Sequence, residues 1–226
     1  MHALAQILLV LFLTTNLILA GTGRLMQAIR LVAVQGWFVG LLPLVLWNWS
    51  TNGAPEPRVW TVAAINTIVK GALLPALLAF AVRKVNAKRE LEPLVSFKLS
   101  QAIVFLFIVG SFTIGKSLHI HEAIASELAI PVAFATMGTG LFLICARRKA
   151  ITQVLGFLVF ENGITVFGSG ILMEYGIIVE LGILLDVFVL VFVLGIAIYQ
   201  ISRTFASLDT DKLNELGDVH LMHKRV

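Results

Sequence analysis

The sequence predicts an all-α integral membrane protein of about seven transmembrane helices, with the N-terminus outside and the C-terminus in the cytoplasm. Three observations carry this expectation. Of 226 residues, 58% are hydrophobic and only 13% are charged, against about 25% charged in soluble domains, and the mean hydropathy is +0.94. Seven segments supply the roughly 20 mainly apolar residues that a helix needs to cross a bilayer, namely 3–20, 29–49, 60–82, 97–115, 128–146, 150–173 and 177–201. The basic residues also alternate between loops. Arg24 and Arg30 follow the first span, Arg83, Lys84, Lys88, Arg89 and Lys98 the third, Arg147, Arg148 and Lys149 the fifth, and Arg203, Lys212, Lys224 and Arg225 the seventh. The opposite loops hold only Arg58 and Lys116, so the positive-inside rule sets the orientation.

The elements follow in order. The first span lacks a basic leader, and Ile18-Leu19-Ala20 is a poor match to a small-x-small cleavage site, so it is expected as a retained helix. The connector 48–57 (NWSTNGAPEP) is rich in turn residues, with Trp47, Trp49 and Trp60 placed as an aromatic belt. Its Asn48-Trp49-Ser50 sequon lies too close to the membrane to be credited as glycosylated. Residues 1–126 form four N-terminal helices, 127–203 a three-helix unit, and 204–226 a polar cytoplasmic tail that lies on the membrane or docks on a partner.

Three ionisable residues fall near mid-span, Lys70 in the third, Glu161 in the sixth and Asp186 in the seventh, with Glu180 nearer the outer end of the seventh. A charge at the bilayer centre costs about 2.5–3.5 kcal/mol on insertion scales, so such residues face the bundle interior or water and often mark ion paths. Lys70 can pair with Glu161 or with Asp186 as a purely structural device, although a buried pair is weak grounds for net stability. The surroundings point instead to hydrated function. Asn66 lies four residues before Lys70 on the same helix face. Pro75 cannot donate to the carbonyl of Gly71 and loosens the helix just beyond the lysine. Glu161 is followed by Asn162, an amide neighbour, and by Gly163, a close-packing point. Asp186 sits in GILLDVFVLVF, where a carboxyl exchanges protons more readily than it carries a permanent charge. Gly156, Gly163, Gly168, Gly170 and Gly182 are the residues expected to let helices move.

Absences narrow the function further. There is no CxxC, HExxH, P-loop or GxSxG motif. His119-Ile120-His121-Glu122 lies in an outer loop, where it reads as solvated rather than metal-ligating. Cys145 is alone, which excludes an intramolecular disulfide and a self-contained iron–sulfur cluster; it reads as a small apolar residue near a helix end. No catalytic centre, cofactor site or metal site is expected in this chain.

From Arg147 onward the sequence reads RRKAITQVLGFLVFENGITVF, then EYGIIVELGILLDVFVLVFVLG, then ISRTFASLDTDKLNELGD. This resembles the three-helix K-type subunit of respiratory complex I and the C-type subunit of multisubunit cation/proton antiporters. With the four preceding spans, the ENG and VELGILLD stretches and KxxxxP at Lys70–Pro75, the chain looks like component E of hydrogenase-4-type and formate-hydrogenlyase complexes. In the K-type pattern the first carboxylate follows the helix glycine by two positions; here that position is Leu158, and Glu161 lies about one helical turn further on. Asp186 matches the second carboxylate in role, one methylene shorter.

The resemblance implies a membrane-arm subunit of a complex I-like respiratory hydrogenase in the prokaryotic inner membrane. Glu161 and Asp186 would then belong to a mid-membrane proton path, with Lys70 as an extension of it and Glu180, Asn66 and Asn162 as accessories. It implies a nickel–iron site and iron–sulfur clusters in partner subunits, namely antiporter-like and quinone-site-like membrane subunits and a cytoplasmic hydrogenase module. Two other readings share the charge layout: an antiporter subunit without a redox partner, and a non-transporting scaffold. No nucleic acid partner is expected.

Overall fold

A computed structural model describes residues 2–47, 53–84, 94–117, 126–147, 150–170, 191 and 195. Among them the chain is helical, with no strand. The elements are α1 (His2–Gly21), α2 (Leu25–Leu46), α3 (Pro57–Ile68), a π turn (Val69–Leu73), α4 (Leu74–Lys84), α5 (Phe97–Ser117), α6 (Ala129–Ala146) and α7 (Ala150–Gly170). Helix α3, the π turn and α4 run together as one span, Pro57–Arg83. Among the described residues, six spans are therefore long and apolar enough to cross a membrane, and this is a multi-pass membrane protein. Apart from residues 191 and 195, the seventh expected span, with Glu180 and Asp186, lies outside the described residues, as do the His119–Glu122 loop, the sequon and the tail.

Several boundaries differ from the sequence expectation. Helix α2 begins at Leu25, four residues before the apolar run, because Arg24 takes an extended backbone and ends the short connector from α1. Helix α5 continues to Ser117, so Lys116 is an exposed residue of its last turn rather than of a loop. Cys145 is exposed one residue before the end of α6.

The loop ends after α1, before α5 and after α6 gather at one end of the bundle. Arg147, buried just beyond α6, donates from Nη2 to the Ala20 carbonyl at 3.3 Å and lies 5.3 Å from the centre of the Phe97 ring. The Leu94 amide donates to the Ala146 carbonyl at 3.0 Å. Burial pushes the pKa of the Arg147 guanidinium below its ordinary value. A cation beside the C-terminal carbonyls of α1 is favoured by the helix dipole.

Helices α6 and α7 form the tightest pair, and the sequence shows why. Gly156, Gly163 and Gly170 recur every seven residues and so form one stripe along α7. A Cβ at Gly156 would lie 2.7 Å from the Ile144 amide nitrogen, one at Gly163 2.7 Å from that of Met137, and one at Gly170 2.6 Å from the Ala129 Cβ. These glycines were expected to permit helix movement. The structure uses them as a seam, because only hydrogen fits where the α6 backbone, or at Gly170 the Ala129 Cβ, approaches this closely.

Candidate functional site

Three apolar clusters fill the bundle, and polar side chains lie between two of them, while the third (Ala20, Val104, Ile108 and Ala135) packs α5 against α1 and α6. On α1 the first cluster takes Ala5, Leu9 and Phe12, and the second takes Leu19. Thr15 and Asn16 fall between. Helix α2 repeats the pattern in reverse, with Val32 in the second cluster, Val39 in the first and Gln35 between. Helix α6 places Thr136 and Thr139 between Ala133 and Leu143, and α7 places Glu161 and Asn162 between Val159 and Val166. Lys70 sits midway along its span, before the apolar run that starts at Leu74. The result is a polar layer at mid-depth.

Within that layer Lys70 and Glu161 form an ion pair, Nζ to Oε1 at 3.0 Å, with only 4% and 1% of the two residues exposed. Lys70 Nζ also donates to Thr165 Oγ1 at 2.7 Å. Thr165 lies four residues after Glu161, hence on the same face of α7, and its hydroxyl donates to the Glu161 carbonyl at 3.0 Å. The ammonium is thus held between a carboxylate and a hydroxyl one turn apart. The sequence left Lys70 open to Glu161 or Asp186; the pair formed among the described residues is with Glu161.

The backbone beneath Lys70 is a π turn. The Leu74 amide donates to the Val69 carbonyl, an i to i+5 bond. Pro75 has no amide hydrogen for Gly71, so the ladder cannot stay α-helical there. The expected loosening therefore takes the form of one inserted residue, with both Lys70 and Gly71 buried in the turn. Helix α2 packs on it through Gly36 and Gly40, a GxxxG stripe. A Cβ at Gly36 would strike the Lys70 carbonyl, and one at Gly40 would lie 2.8 Å from the Thr67 Cα. The ring of Trp37 in turn covers Gly71.

On another face of α2, Gln35 Nε2 donates to Thr15 Oγ1 at 2.9 Å and to Asn16 Oδ1 at 2.8 Å. Asn16 Nδ2 donates to Thr136 Oγ1 at 2.8 Å, and that hydroxyl donates to the Val132 carbonyl. Gln35, Asn16 and Thr136 are all fully buried.

Of the expected accessories, Asn162 is buried beside Glu161. Asn66 is half-buried, and its carbonyl accepts from the Val69 amide. Asp186 and Glu180 lie outside the described residues. Thr165, Gln35 and Asn16 were not singled out from the sequence. They carry no charge, and the signal that could have found them is polar side chains near mid-span facing one another at similar depth.

These helices and this layer define a multi-pass α-helical membrane protein with an ion pair buried between its spans. Its sequence is similar to the "Uncharacterized protein Rv0085" of Mycobacterium tuberculosis (strain ATCC 25618 / H37Rv), 33% identical over 193 residues that cover 84% of this chain and 85% of that protein. The chain belongs to the same family as that protein. No family model matches it, and no solved structure does so.

Proposed function

We propose that the chain is a membrane-arm subunit of a complex I-like, group 4 nickel–iron hydrogenase assembly in a prokaryotic inner membrane, where it contributes Glu161 and Lys70 to proton translocation. The observation that carries the reading is the Lys70–Glu161 pair, closed to solvent midway through the bundle and braced by Thr165. A carboxyl in that position gives and takes one proton, and a neighbouring ammonium adjusts how readily it does so. The resemblance of the last third of the chain to K-type subunits supports the assignment of the assembly, and it adds Asp186 as the second carboxyl of the path. Redox centres belong to partner subunits, and the cytoplasmic ends are those that gather Arg24, Lys98 and Arg147.

The test has two stages. A tagged chain purified from its own membrane in mild detergent is expected to bring down nickel–iron and iron–sulfur subunits, identified by mass spectrometry. Recovery with antiporter-type subunits alone would replace the hydrogenase reading with a cation/proton antiporter. Glu161→Gln is then expected to leave the complex assembled while proton movement into inverted vesicles stops. Normal pumping in that variant would reduce the pair to a scaffold.

A further inference from the structure

Thr165 gives the Lys70 ammonium a second acceptor, and elementary chemistry fixes which group donates in each contact. A carbonyl oxygen carries no hydrogen, so the Thr165 hydroxyl gives its own to the Glu161 carbonyl at 3.0 Å. Its lone pairs remain, and an ammonium has only hydrogens to offer, so Lys70 Nζ donates to Thr165 Oγ1 at 2.7 Å. That contact is shorter than the 3.0 Å between Lys70 Nζ and the carboxylate. Glu161 and Thr165 stand one turn apart on one face of α7, so a single ammonium reaches both.

The two acceptors differ in one respect. Glu161 loses its negative charge whenever it takes up a proton, whereas the hydroxyl has no charge to lose. With Glu161 neutral, Lys70 would be an unmatched charge midway through the bundle, which is costly. Its backbone has little room to withdraw, because it lies in the π turn, where Gly36 of α2 packs with no space for a Cβ. No other charge of the packed helices enters the layer. Helix α2 carries only Arg30 and α6 only Cys145, both exposed, and the other basic residues of the Lys70 span lie at its ends.

We infer that Thr165 is a positioning residue that keeps the Lys70 ammonium docked on α7 while Glu161 is protonated. Each cycle then adds one proton to the Glu161 carboxylate, drawn from hydronium at one face, and returns one to water at the other. The ammonium keeps its three hydrogens and its seat throughout. This consequence rests on the proton-translocating reading, whereas the docking itself stands apart from it.

Two variants separate docking from packing. Thr165→Val keeps the branched shape and removes the acceptor; Thr165→Ser trims a methyl and keeps the hydroxyl. In the intact membrane complex Thr165→Val is expected to slow proton movement into inverted vesicles about tenfold, the weight of one hydrogen bond to a charged group. Thr165→Ser is expected to retain most of the rate. The reverse order assigns Thr165 to packing and overturns the inference. Wild-type pumping in Thr165→Val while Glu161→Gln stops also overturns it, and leaves the role of Glu161 standing. Denaturant titration of the full chain in detergent needs no pumping. There Thr165→Val is expected to lower the unfolding midpoint more beside Glu161→Gln, whose neutral amide stands in for the protonated carboxyl, than in the wild type. Beside Lys70→Met, with no ammonium to hold, it should lower the midpoint least. Equal losses in all three backgrounds overturn the inference whatever the vesicles do. The expected ranking together with normal pumping by Glu161→Gln would uphold the docking and sink the proton-translocating reading.

Discussion

Lys70 and Glu161 each carry a cost that the other offsets, so the two should be inseparable energetically. Removing one partner of a buried pair leaves an uncompensated charge and costs about 3–5 kcal/mol, whereas replacing both by apolar residues of similar size is often close to neutral. Lys70→Met alone is expected to destabilise the chain by about that amount. Lys70→Met combined with Glu161→Leu should recover most of the loss while proton movement stays absent. Denaturant titration in detergent around the double-mutant cycle measures the coupling, and additive losses would show that the two side chains do not act as a pair. Arg147 poses a different problem at the same scale. Its planar group both donates to the Ala20 carbonyl and faces the Phe97 ring, and a lysine reproduces neither geometry well. Arg147→Lys should therefore destabilise by about 1–2 kcal/mol despite keeping its charge, a loss that thermal unfolding would detect.

The helices owe their positions to what small residues permit. Along α7 the seven-residue glycine stripe brings α6 close enough that Gly163→Val must push against the Met137 backbone. Overpacking of that kind costs about 1–3 kcal/mol, and the expected outcome is a lower unfolding midpoint with weakened assembly. Gly36→Val acts on function as well, since its side chain would displace the π turn and with it Lys70. Proton movement should fall even where the variant assembles, and an assembled, fully active Gly36→Val complex would break the link between α2 packing and the pair. At this scale the sequence was only half legible. Pro75 announced a disturbed helix but not that it would resolve as a π turn. The glycines of α7 announced small faces, yet whether these slide or lock depends on the partner helix, and locking followed from backbone opposite Gly156 and Gly163 and from the Ala129 Cβ opposite Gly170. Charges stood out because apolar runs make them conspicuous, whereas Asn16 and Gln35 blended in because an amide lowers hydropathy far less than a charge does.

Across the whole molecule, polar side chains at mid-depth lie between an apolar cluster toward each face. Span positions were legible from hydropathy; the choice of Glu161 as partner for Lys70 was not, because nothing along a chain states which helices adjoin. Orientation is the remaining whole-molecule property, and it rests on charge. The structure gathers Arg24, Lys98 and Arg147 at one end through the Ala20, Leu94 and Phe97 contacts. Arg58 and Lys116 begin and end helices at the other end. Because loop cations are retained on the cytoplasmic side, that first end should face the cytoplasm. Replacing the single cysteine, Cys145→Ser, gives a background in which new thiols report position. Lys116→Cys is expected to react with a membrane-impermeant maleimide in intact cells. Arg24→Cys and Lys98→Cys, both at exposed positions, should react only after the membrane is opened. The opposite labelling pattern would invert the topology and carry the hydrated sides of the Lys70–Glu161 pair with it, so that a proton path built on this layer would have to run from the other face.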